Sequence, residues 1–155
     1  MHNKHQYLLM TPERLKEIYD SLPKLDCKQK CQDSCSYVWA SKFELQLIKK
    51  ILREQKKEYK PFKTLKTATY LKHKREGTLA NLVHNCRCPY LNEKGLCSIY
   101  KFRPLICRLW GLTERMKCPF GCVPERWLSE EEFRKIMIEL YEEMGKGIIP
   151  LGLSK

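Results

Sequence analysis

Apolar positions along the chain recur mainly with a helical period, in blocks separated by proline and glycine. Thr11-Pro12-Glu13 reads as a helix start, with a capping hydroxyl, proline at the first helical position and an acid in the first turn. Leu15, Ile18, Tyr19 and Leu22 then form an apolar stripe that Pro23 ends. From about Ser36 to Tyr59 the period is again helical. Trp39, Phe43, Leu47, Ile48, Ile51 and Leu52 fall on one face and Lys42, Lys49, Lys50, Arg53, Glu54, Lys56 and Lys57 on the other, before Pro61 stops the pattern. Residues 62–85 carry mixed signals. Thr64 to Leu71 partly alternates as a strand does, and Thr78 is placed to cap a short helix through Val83. Ser129 and Glu132 make a capping box for a last helix at about 129–145, with Phe133, Ile136, Met137, Leu140, Tyr141 and Met144 inside and Gly145 and Gly147 at its end.

Between these helical blocks, Asn85 to Pro124 is rich in cysteine and turn residues. Irregular segments of that length are uncommon in compact domains unless something else holds them, and a metal centre supplies such a hold. The predicted fold is therefore mainly α: a small single domain, 1–155, in which helices flank an irregular, cysteine-rich, metal-organised middle containing a short β-hairpin. The cysteine region spans about 27–128. There is no internal repeat or low-complexity tract.

Composition narrows the function classes. The chain has 155 residues, enough for one domain with a real core. No apolar run approaches the ~20 residues that span a bilayer, so no membrane association is expected. The four-residue apolar run near the N-terminus falls short of a signal-peptide core. These features predict a cytoplasmic protein. In a reducing compartment nine cysteines, an odd number, point to metal binding rather than disulfides.

The formal net charge of +12 is uneven: residues 42–75 hold twelve basic and three acidic side chains, a local +9. Four thiolates around one divalent metal, or a doubly positive iron–sulfur core, contribute about −2 per site. Two loaded sites would bring the protein nearer to about +8. The basic segment sits on the polar side of an amphipathic helix, and the aromatics interleaved with it are few: Tyr59, Phe62 and Tyr70. It reads as a solvated face or as a nucleic-acid surface.

The candidate metal ligands are Cys27, Cys31, Cys35, Cys86, Cys88, Cys97, Cys107, Cys118 and Cys122. Cys27, Cys31 and Cys35 have helical spacing, so neighbouring sulfurs could share a metal. Cys118-Pro-Phe-Gly-Cys122 is a second C-x3-C whose proline and glycine favour a tight turn. Both spacings suit zinc loops. Cys86-Arg-Cys88 is a C-x-C in which consecutive side chains point apart, leaving one as a spectator. Cys88, Cys97 and Cys107 lie on a strand, a returning strand and a helix entered at Pro104, and Cys118 is the expected fourth ligand. Cys27, Cys31 and Cys35 would form most of another site, completed by Cys122 or Cys86. Zinc and iron–sulfur clusters accept the same thiolates, so the cofactor is zinc or iron. The C-x3-C-x3-C run is one residue off the C-x3-C-x2-C of radical enzymes, whose barrel scaffolds take ~200 residues; this chain is too short for one.

Cys88-Pro89-Tyr90-Leu91, Gly95-Leu96-Cys97-Ser98-Ile99-Tyr100 and Arg103-Pro104-Leu105-Ile106-Cys107-Arg108 together resemble the signature of the CxxCxxCC cysteine-cluster family, described as zinc- or iron-chelating. Cys118-Pro119-Phe120-Gly121 resembles that family's later Cys-Pro-Gly-like element. The resemblance covers about 27–128, with the strong motif at 88–108, and implies metal binding through these cysteines. The front departs from the family: C-x3-C-x3-C is followed by Ser36, so no adjacent cysteine pair exists. Some relatives are linked to methylation of flagellin lysines, an activity not carried over because no glycine-rich cofactor fingerprint is present.

Arg103 and Arg108 read either as surface charge or as cations that offset thiolates and donate to sulfur; Lys117 reads as surface. His84 is a weak extra ligand candidate, His73 a solvated side chain, and Trp39, Trp110 and Trp127 packing residues. No Ser/His/Asp arrangement is supported, and nothing marks the chain as an enzyme. The expected function is metal binding through clustered thiolates. The alternative is a small basic zinc-braced module that binds nucleic acid or a protein partner.

Overall fold

The computed structural model describes residues 11–30 and 35–144. Cys31, the expected helix-ending Gly145 and Gly147, and the burial of Tyr141 and Met144 lie outside what is described. The protein is mainly helical: α1 (Pro12–Ser21), α2 (Lys42–Glu54), α3 (Thr67–Glu76), α4 (Leu79–His84), α5 (Leu105–Leu109) and α6 (Glu130–Met144), with 3-10 turns at Tyr100–Phe102 and Glu114–Met116. There is no barrel among the described residues.

The capping signals set the helix ends. Thr11 Oγ1 accepts from Arg14 N at 3.1 Å to open α1, and Ser129 with Glu132 closes a capping box at the head of α6. A second capping box starts α2 six residues later than its apolar pattern suggested. Ser41 Oγ accepts from Glu44 N at 3.2 Å while Glu44 Oε2 accepts from Ser41 N at 2.8 Å. Residues 36–41 are therefore non-helical, although Val38 and Trp39 are buried.

The strand-like reading of Thr64 to Leu71 gives way to α3. Leu65 and Tyr70 are buried, the first on the extended approach and the second on the helix. Gly77 ends α3 in the left-handed region, φ +69°, a conformation glycine adopts without steric cost. Thr78 gives α4 no side-chain cap; its hydroxyl lies 2.8 Å from the His73 ring, so His73 is half-buried and partnered instead of solvated.

Two apolar clusters organise the packing. One joins Leu15 and Ile18 of α1, Leu105 and Leu109 of α5, and Phe133, Met137 and Leu140 of α6, with Trp39 among them. The other joins Ile48 and Leu52 of α2 to Val38, Cys88, Tyr90 and Ile99, with Cys35, Cys97 and Cys107 packed against it. Ile106 touches both clusters, so α5 is the element they share. An Arg14–Glu139 pair ties α1 to α6 through two hydrogen bonds, Nε to Oε2 at 2.7 Å and Nη2 to Oε1 at 2.9 Å.

Glu44 is the unexpected member of the α2 inner face, only 1% exposed. Its carboxylate accepts from Ser41 N, from Tyr19 Oη of α1 at 2.7 Å, and from Leu105 N at the start of α5. Burial pushes its pKa up, and the donors from Tyr19, Ser41 and Leu105 offset part of that rise. Charge buried this way is tolerated because every oxygen is hydrogen-bonded. Glu44→Ala leaves three donors without an acceptor and should lower stability by about 3 kcal/mol, read as a reduced urea midpoint at unchanged slope.

Candidate metal centre

The cysteine-bearing loops are shaped by short-range hydrogen bonds. Asn92 Oδ1 accepts from Lys94 N at 2.9 Å and from Leu96 N at 3.0 Å, folding the turn on itself. Gly95 sits there at φ +75°. The expected hairpin takes the form of an isolated antiparallel bridge, Leu91↔Cys97, with no longer strand among the described residues. Ser98 N donates to Tyr90 O at 2.8 Å and Cys88 N to Cys35 O at 2.9 Å. That last bond lays the Cys35 segment beside Cys88. The Arg103-Pro104 entrance then starts α5, on which Cys107 rides.

These loops bring Cys35, Cys88, Cys97 and Cys107 together. All four belong to the second apolar cluster, and the Cys107 thiol feels the charge of the other three. Desolvation is the first cause that raises the thiols of Cys88, Cys97 and Cys107, in Cys107 to well above the ordinary range. For Cys97 the Ile99 N–H and the Arg103 guanidinium oppose that rise. Among the described residues no three His, Cys, Asp or Glu side chains already stand as a closed ligand set.

The same four cysteines, with Cys27, line a cavity of about 370 Å³. Its other walls include Trp39, Trp110, Tyr100 and Arg103. The indole N–H groups of Trp39 and Trp110 are buried without a hydrogen-bond partner. Both rings contribute to the cavity wall, while the N–H atoms themselves are closed off even to water. The lining therefore offers thiols and one cation, a donor type that binds zinc or iron.

The remaining cysteines take other positions. Cys118, expected to complete the Cys88–Cys97–Cys107 set, does not line that cavity; it opens a tight turn before Cys122 in which Gly121 N donates to Cys118 O at 3.2 Å. Although burial opposes it, the pKa of Cys118 falls, through N–H groups of Cys122 and Phe120, the Cys122 thiol and nearby Lys28. Cys86 is buried, interacts with the Tyr37 side chain and does not itself line the shared cavity. Cys27 is not helical. Its sulfur accepts from Gln29 N at 3.3 Å and is hydrogen-bonded to Tyr100. No disulfide links the eight described cysteines.

The flanking cations divide. Arg103 lies over the Tyr100 ring at 3.8 Å and lines the cavity. Arg108 turns away, donating to the carbonyls of Arg103 and Lys101, both at 3.0 Å, and covering Tyr19. Arg87 donates to Asn92 O, and Lys117 lies over Trp127. His84 is exposed and lines a different pocket with Leu79 and Val83. The sequence reading missed Glu44 and the two indole donors. Their types carry no signal by themselves; burial and the lack of a partner identify them.

No helix among the described residues is long and apolar enough to cross a membrane. A family model for CxxCxxCC, described as a putative zinc- or iron-chelating domain, matches residues 26–123. No curated protein and no solved structure gives a significant match. In chelator-treated protein, Cys118 should alkylate about ten-fold or more faster than Cys88, because thiolate character and access set the rate. Brief iodoacetamide labelling followed by peptide mass spectrometry measures the ratio.

Proposed function

The chain belongs to the CxxCxxCC family of zinc- or iron-chelating domains, and we propose that Cys35, Cys88, Cys97 and Cys107 are the ligands of its metal. The observation that carries this reading is the convergence of these four thiols on one cavity. Four thiolates satisfy a zinc ion as a closed structural site, and they satisfy an iron–sulfur cluster equally well.

We favour the iron–sulfur form, for whose bridging sulfides a cavity of about 370 Å³ has room. Hydrogen bonds to cluster sulfurs are a recognised means of stabilising such centres and setting their potential. The Arg103 guanidinium on the cavity wall is suited to that task. Uncompensated, buried thiolates are disfavoured, so metal binding and thiol deprotonation are coupled.

Anaerobic purification with metal analysis and a visible spectrum tests both parts. A brown protein with broad absorbance near ~400 nm supports the iron–sulfur form, and stoichiometric zinc without colour replaces it with a closed zinc site. Serine at position 35, 88, 97 or 107 should each remove most of the bound metal. Retention of metal by Cys35→Ser would refute the ligand set.

A further inference from the structure

We propose that the basic surface of α2 and the segment after it binds the sugar–phosphate backbone of double-stranded DNA without reading its sequence. Residues 42–75 hold twelve lysines and arginines, every one of them exposed. Of the three acids there, Glu44 is buried, which leaves only Glu54 and Glu58 at the surface. Lys49, Lys50 and Arg53 lie on the side of α2 opposite Glu44, Ile48 and Leu52, so this stripe points away from the core. Lys56, Lys57 and Lys60 follow it past the helix end. Lys49 Nζ lies 4.8 Å from the centre of the Tyr59 ring, which brings the returning segment beside the stripe. Among the described residues none of these six cations forms an ion pair, whereas Arg14, Arg115 and Arg126 each pair with a glutamate. None of the six lines the cavity of the thiols.

Lys56 stands where glycine is easier. Helices α2 and α3 end in the same motif. Lys57 N donates to Leu52 O at 2.8 Å and Lys56 N to Arg53 O at 3.0 Å; likewise Thr78 N donates to His73 O at 3.0 Å and Gly77 N to Lys74 O at 3.4 Å. The residue at the bend is left-handed in both, Gly77 at φ +69° and Lys56 at φ +55°. Glycine adopts that conformation without steric cost and lysine does not. What the side chain at the end of α2 adds is a cation at the tip of the stripe.

The chemistry around the stripe selects its partner. Proteins that hold single strands stack bases on exposed aromatic rings. Here Tyr59 lies under Lys49, Phe62 packs on Tyr90 with ring centres 5.2 Å apart, and Tyr70 is buried. That leaves contacts to phosphates, which position a duplex without specifying sequence. A helix on a membrane turns its apolar face to the lipid, but that of α2, Ile48 and Leu52, is packed against Tyr90 and Ile99. The major groove of B-form DNA admits a helix, and the deep groove of duplex RNA does not.

Fluorescence anisotropy of a labelled, mixed-sequence DNA duplex titrated with the metal-loaded full chain tests this. Six phosphate contacts give a log–log salt slope of about −5, a loss of about a thousand-fold between about 50 and about 200 mM salt. Lys49→Gln/Lys50→Gln/Arg53→Gln should bring the slope to about −3 with metal content and urea midpoint unchanged. Lys94→Gln/Lys101→Gln/Lys135→Gln, which removes the same charge elsewhere, should leave the slope as it is. Lys56→Gly should weaken binding and reduce the slope by about 1 without lowering the urea midpoint. Absence of binding, a slope near zero, or equal losses from the two triple variants overturns the proposal. Tighter capture by duplex RNA, by single-stranded DNA or by vesicles of phosphatidylserine and phosphatidylcholine overturns it too, as does a Lys56→Gly chain that is less stable yet binds DNA unchanged.

Discussion

The arrangement around the cysteines depends on a buried carboxylate. Glu44 holds Tyr19 of α1, the cap of its own helix α2 and the first amide of α5 in one set of hydrogen bonds. Each of those donors would otherwise be buried without a partner, and each lies on a different element. The three helices are thereby placed relative to one another at one point. Because α5 carries Cys107, the position of one sulfur depends on an acid whose bond to the head of α5, at Leu105, spans sixty-one residues of sequence.

The eight described cysteines divide by environment more than by spacing. Cys35, Cys88, Cys97 and Cys107 are desolvated around an apolar cavity, where a negative sulfur needs a cation. Cys118 and Cys122 sit on a turn that supplies donors and a lysine. Spacing alone grouped Cys118 with the former and Cys35 with Cys27. What regroups them is a single backbone hydrogen bond, Cys88 N to Cys35 O, between segments far apart in sequence.

Local signals were legible where capping chemistry is local. Thr11, Ser129 and Glu132 announce α1 and α6 because their partners lie within a turn. The start of α2 was misplaced because Trp39 fits the helical stripe yet is buried from a non-helical segment. The Ser41–Glu44 box carries the true start, but an acid among lysines reads as surface until its burial is known. Residues 64–71 were misread because period-two and period-3.6 patterns coincide over short windows. The thiol cluster was half legible: Cys88, Cys97 and Cys107 share a motif, whereas Cys35 and the rings of Trp39 and Trp110 reach the cavity only through tertiary packing.

Helix α5 has five residues, far below the length at which a helix persists unaided. It exists because Leu105 and Leu109 are gripped by one cluster while Ile106 reaches the other. The Cys107 sulfur therefore owes its place to the grip of two clusters and not to helix propensity, so loosening either cluster would free the segment that carries it.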